Sequence, residues 1–152
     1  ASEIHIPIAT GERLHTLEEF GMLLARNACQ YIRPDVCLCG GITQAKKIAA
    51  AAEARGVLVV PHNPLSPVST AACIQLAASI PNFAIQEYPL GEDCAPKNEI
   101  VKSTLTLDNG YLTVPDSPGI GIELNEQAMH QYPYKPRLYV TKLREDGSVV
   151  DQ

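Results

Sequence analysis

Four short stretches each place a polar group where an apolar or β-prone run gives out: Glu12 ending PIATGE, Asp35 ending IRPD, His62 ending VVPH and Glu87 ending AIQE. They stand 23, 27 and 25 residues apart, roughly the length of one strand plus one helix. Three of the four are followed directly by a helical pattern. In a parallel β/α barrel, successive strand ends point to one mouth, and chemistry is done there. The spacing therefore predicts an α/β chain whose carboxylates and histidine converge.

The segments between these points support that reading. Ile4, Ile6 and Ile8 alternate toward Gly11-Glu12, which predicts a strand. Thr16 and Glu19 have the spacing of a capping box, and Leu17, Phe20, Leu24 and Ala28 supply an apolar stripe behind it. Tyr31-Ile32-Arg33 reads as a short strand ending at Pro34, which cannot donate to a ladder. Gly40-Gly41 turns into a helix expected over Thr43 to Arg55, with Gly56 after it. Val57 to Val60 is apolar throughout, as a strand buried on both faces should be. A third helix opens at Pro67 and runs to Pro81, and Phe83-Ala84-Ile85 is the fourth expected strand.

Composition changes near residue 90, where a boundary is expected between 1–90, the strand–helix units, and 91–152, a smaller irregular segment. Within the latter, Ser103 to Leu107 and Tyr111 to Val114 flank Asn109-Gly110, a hairpin signal. A short helical stretch is expected near Glu126 to His130, and an extended pair around Asp146-Gly147. Gly119 and Gly121 read as turn glycines, because no strand–helix context of a phosphate loop surrounds them.

Net charge is −5 with no basic run, so nothing predicts binding to nucleic acid or an anionic membrane. No stretch has the 18 or so uncharged apolar residues of a spanning helix. Ala1-Ser2-Glu3-Ile4 shows no signal-peptide pattern, so none is expected. Five cysteines at positions 29, 37, 39, 73 and 94 form no disulfide framework and read as reduced, mostly buried thiols. A cytoplasmic protein is expected. Each polar strand end also has a purely structural reading: Glu12 paired with Arg13, Asp35 capping a turn, His62 a turn histidine. His15 is equally open between lining a pocket and helping to start the first helix; His5 and His130 read as surface or strand residues.

PIATGE, IRPD leading into GGIT, VVPHNPLSP, AIQE and DNGYLTVPDSPGIGIELNE together resemble the C-terminal half of the enolase superfamily. The likeness is to the mandelate racemase and muconate lactonizing enzyme type, above all to acid-sugar dehydratases of the galactonate dehydratase kind. It runs from about Glu3 to Glu126. The resemblance implies half of a TIM-type barrel, with four strand–helix units, plus a C-terminal piece of a capping domain. It implies Glu12 as one of three Mg²⁺ carboxylates, a hard-oxygen site in which the ion keeps positions open for substrate. His62 is implied as a general acid/base with Asp35 as its orienting partner. Glu87 is implied as the group that, with the metal, stabilises enediolate oxygens, which an acid can do by hydrogen bonding if its site keeps it protonated.

The implied chemistry is removal of the α-proton of a sugar-acid carboxylate followed by loss of water. A racemase or epimerase would share the intermediate and differ in its fate. The other metal carboxylates and a lysine-bearing strand of the family have no counterpart here, so the chain alone is expected to be inactive and without a competent Mg²⁺ site. Half a barrel has open edges, which invite association; a homo-oligomer is expected, and a non-catalytic association or binding module is the alternative from another class.

Overall fold

A computed structural model describes residues 3–136, 142–148 and 150. Three short strands, β1 (Ala9–Thr10), β2 (Tyr31–Ile32) and β3 (Leu58–Val59), form a parallel sheet in the order β1-β2-β3. Helices α1 (Leu17–Ala25), α2 (Gly41–Glu53) and α3 (Pro67–Ala77) follow them in turn, as the spacing predicts. The fourth expected strand is reduced to a single parallel bridge between Val59 and Phe83, held by Val59 N–H to Asn82 O at 2.8 Å and Ala84 N–H to Val59 O at 2.9 Å. Three paired units and a fourth partial one are thus present.

Helix α1 begins where the sequence places it. Thr16 accepts from the Glu19 amide, and the Glu19 carboxylate accepts from the Thr16 amide at 2.9 Å, a complete capping box. Thr16→Ala is expected to lower stability by about 1 kcal/mol, read as a shifted urea midpoint with unchanged slope. Helix α2 starts at Gly41, two residues earlier than expected, because Gly40 and Gly41 both adopt positive φ and the turn closes sooner. Ser66 caps α3, with Pro67 in its first turn where no amide is needed.

The core lies where the three helices meet one face of the sheet. Phe20, Ile32, Ile48, Val59 and Leu76 are all fully buried there. Asn82 ties the layers together, its amide donating to Ala49 O and Val57 O at 3.0 Å each.

Two strand expectations are corrected. Ile4 and Ile6 are exposed and unpaired, and only Ala9–Thr10 enters the ladder. Pro7 lacks an amide to donate within that run, which disfavours a longer ladder. Val57 and Val59 are buried but Leu58 is 39% exposed, so β3 is covered on one face only. Helices pack against a single side of this sheet among the described residues.

Beyond residue 90 come a 3₁₀ turn (Lys97–Glu99), a hairpin of β4 (Leu107–Asp108) and β5 (Tyr111–Leu112), and α4 (Ala128–Gln131). Asn109 and Gly110, with φ of 49° and 84°, make the hairpin turn that Asn-Gly predicts. Gly119 and Gly121 take positive φ as turn glycines. Arg144 and Ser148 close the turn around Asp146-Gly147, with Val150 N–H reaching Lys142 O at 2.9 Å.

Candidate active site

The ladder explains how two of the polar strand ends meet. Tyr31 pairs with Leu58 and Ile32 with Val59, an offset of 27 residues, which is also the separation of Asp35 and His62. The same register carried three residues further makes Asp35 and His62 bridge partners, with His62 N–H donating to Pro34 O at 3.1 Å. Their side chains meet, His62 Nδ1 lying 3.0 Å from Asp35 Oδ2. Asp35 is 1% exposed and the His62 side chain 19%. The other Asp35 oxygen accepts the amides of Cys37 at 2.8 Å and Leu38 at 3.2 Å. Turn cap and histidine partner are therefore roles that one carboxylate fills together. As a carboxylate it can only accept, so Nδ1 carries its hydrogen and Nε2 is left to exchange a proton.

Glu87 is one residue out of that register. Phe83 pairs with Val59, which sets residue 87 level with Asn63 rather than with His62. The contacts follow: Glu87 Oε2 accepts from the Asn63 amide at 2.8 Å and from Arg33 Nη2 at 2.6 Å. The Asn63 side chain also donates to Glu87 O at 3.1 Å. Burial alone would raise the Glu87 carboxyl, but the Asn63 amide, Arg33 and His62 outweigh it and hold it below the ordinary range. The protonated glutamic acid that enediolate hydrogen bonding calls for is thus not the form this structure favours.

That pairing has a pH consequence. The folded value lies below the unfolded one of about 4.3, so the stabilisation is complete above that pH and lost as pH falls through the folded value. Arg33→Met is expected to flatten the acid limb of a stability–pH profile; an unchanged limb would show the pair contributes nothing.

Glu12 lines a cleft of about 410 Å³ with Thr10, Arg13, Glu19 and Arg26, a lining that includes none of Asp35, His62 and Glu87. Gly11, at φ 116°, interrupts the extended chain immediately before it, so strand alternation does not set its direction. Among the described residues no group of three His, Cys, Asp or Glu side chains could hold a metal ion. One carboxylate does not satisfy an ion that demands near-octahedral oxygen coordination, so these residues alone do not fit Mg²⁺. His15 is exposed and uses its amide to cap Glu19.

All five cysteines are free; Cys29, Cys39 and Cys73 are buried, while Cys37 and Cys94 are exposed. Burial, then the nearby Asp35 charge, pushes Cys39 up to about 11, and burial pushes Cys73 up to about 12. Those two are packing thiols rather than nucleophiles. No helix among the described residues is long and apolar enough to cross a membrane.

Sequence reasoning missed Arg33, Asn63, Thr70 and Glu92. Arg33 was detectable as the cation two residues before Asp35, on the same strand face. Glu92 carried no such signal: it lies in a polar, loop-like run yet is fully buried.

The model of the enolase C-terminal domain-like family matches residues 1–128. A D-galactonate dehydratase of Verminephrobacter eiseniae is 36% identical over 131 residues, covering 83% of this chain and 34% of the relative. An enolase of Agrobacterium radiobacter, solved with sodium and L-malate, superposes with a TM-score of 0.86 at 35% identity, covering 97% of this chain and 41% of that one. A mandelate racemase/muconate lactonizing enzyme of Jannaschia sp. CCS1 gives 0.82 at 34% identity, covering 91% of this chain and 35% of its own. The chain thus spans roughly a third of the length of the curated relatives it matches.

Proposed function

This chain belongs to the enolase C-terminal domain-like family, in the mandelate racemase and muconate lactonizing enzyme branch of the enolase superfamily, and from that membership we propose that it is the C-terminal part of an Mg²⁺-dependent acid-sugar dehydratase. The observation that carries the proposal is the buried Asp35 holding His62 at the ends of adjacent parallel strands. Asp35 fixes the ring so that His62 Nε2 moves a proton, either from the carbon next to the substrate carboxylate or onto the departing β-hydroxyl. Arg33 and Asn63 hold Glu87 ionised beside that ring; Glu87 acts as a hydrogen-bond donor only after taking up a proton, against the pull of Arg33. Residues 1–90 supply this half of the barrel, and 91–152 contribute to the cap over its mouth. Glu12 would be one Mg²⁺ ligand of the whole protein, the ion supplying charge stabilisation to the substrate carboxylate; the other ligands would come from the length of the relatives that this chain does not span. We place the protein in the cytoplasm, as a homo-oligomer acting on a small sugar acid without nucleic acid or membrane.

The test is to incubate the full-length protein with Mg²⁺ and a panel of aldonic and aldaric acids in deuterated water. Loss of water supports dehydration. Exchange or inversion at the α-carbon without loss of water indicates the racemase alternative. Neither result, with the protein folded, overturns the reading. Turnover by the 152-residue chain alone would overturn its assignment as an incomplete catalyst.

A further inference from the structure

A chain of buried polar groups leaves the site and ends on a carboxyl that the chemistry above does not use. Asn63, Thr70 and Glu92 are each fully buried. Asn63 Nδ2 donates to Thr70 Oγ1 at 2.7 Å, and Thr70 Oγ1 lies 2.6 Å from Glu92 Oε2. Thr70 Oγ1 is also 3.3 Å from Ser66 O, the carbonyl one helical turn back. Glu92 Oε1 is buried with no hydrogen-bond partner.

A threonine hydroxyl has one hydrogen to give. Were Glu92 ionised, Thr70 would have to spend that hydrogen on it, and a charged oxygen at Oε1 would be left buried and bare, a severe penalty. With Glu92 neutral, its own O–H donates to Thr70, Thr70 donates to Ser66 O, and Asn63 Nδ2 donates to Thr70. The oxygens then left without a partner, Glu92 Oε1 and the Asn63 amide Oδ1, are both uncharged. We propose that Glu92 is a positioning residue: as a neutral acid it locks Thr70, Thr70 locks the Asn63 side chain, and Asn63 clamps Glu87 at both its carbonyl and its carboxylate.

Burial is the largest influence on Glu92 and raises its carboxyl, against the Thr70 contact and the positive charge of Lys97 in the 3₁₀ turn. The charge that Glu92 would carry when ionised is in turn felt by Tyr88, after burial, as an upward push on its hydroxyl. The loop after β3, which carries His62 and Asn63, is in this way fastened to the segment carrying Glu87 by a residue five positions beyond it. The inference rests on Glu87 as a site residue, but its test reads titration rather than turnover, so the two can fail separately.

Carboxyl ¹³C NMR on the full-length protein, titrated with acid, is the experiment. Glu92 is expected to remain neutral well above the ordinary glutamate midpoint of about 4.3. Thr70→Val, nearly the same shape, is expected to raise the Glu87 midpoint as Asn63 loses its anchor. Glu92→Gln keeps a neutral donor facing Thr70 and is expected to leave that midpoint in place. A Glu92 that ionises with ordinary carboxyls overturns the proposal, as does a Glu87 midpoint indifferent to Thr70→Val. If Thr70→Val fails to fold, the protonation state of Glu92 in the unaltered full-length protein and the Glu92→Gln result decide the matter.

Discussion

Replacing His62 with asparagine is expected to lower sugar-acid turnover by about 10²–10⁴-fold in the full-length protein, the usual loss when a positioned acid/base is removed. Asparagine is close to imidazole in reach and polarity and can still face Asp35, but it has no nitrogen that takes up a proton near neutrality. The fall should therefore appear in kcat, with substrate binding largely kept. Asp35→Asn should move kcat in the same direction by another route. Its amide can donate to Nδ1, which favours the wrong tautomer and turns Nε2 from acceptor to donor. His130 lies exposed on α4 and has no contact with Asp35, His62 or Glu87, and His130→Asn is the control expected to leave turnover unchanged. Turnover of His62→Asn equal to that of the control would remove His62 from the reaction.

Phe20→Ala should produce the largest loss of stability, about 3–5 kcal/mol. Phe20 is the largest fully buried side chain among the described residues, and it packs at the junction of α1 with the end of β1. A Cβ built on Gly11 would come within 2.8 Å of its ring, so the strand end and the helix already touch there. Truncation would remove transfer energy and leave a void that the turn at Gly11 cannot close without moving Glu12. A domain has only about 5–15 kcal/mol to lose, so the variant should unfold at markedly lower denaturant. Met22 stands on the opposite side of α1 at 63% exposure, and Met22→Ala should change stability by no more than about 0.5 kcal/mol. Equal midpoints for the two variants would show that this junction does not hold the fold.

Both predictions draw on features that differ in how far the sequence discloses them. Local chemistry was legible wherever one segment carries the whole signal. The capping box at Thr16 and Glu19, Pro67 after the Ser66 cap, Gly56 after α2 and the Asn109-Gly110 turn need only near neighbours, and each forms as its residues dictate. The meeting of Asp35 with His62 was implied by the family resemblance alone, and the structure delivers it because their separation equals the register of β2 on β3. Parallel pairing at a fixed offset turns a distance in sequence into a distance in space.

What tertiary structure alone decided depends on which surfaces find partners. The alternating isoleucines before Ala9 satisfy a strand pattern, yet hydrogen-bonding partners rather than patterning determine the ladder, and Ile4 and Ile6 stay outside it. Leu58 looked like a core residue from an apolar run, but burial on both faces needs a second layer, and the helices pack on one. The protonation of Glu87 is set by Arg33, 54 residues earlier, and by the Asn63 amide. Glu92 was invisible because hydrophobicity describes the residue, whereas burial describes where the chain folds back over it. By itself, then, the sequence determined the order of strands and helices, their caps and turns, and the placing of Asp35 and His62 at strand ends; that the two side chains meet was decided by the register of the ladder. The fold decided which faces are covered and which carboxyl is charged, since both are properties of neighbours that the chain brings together only on folding.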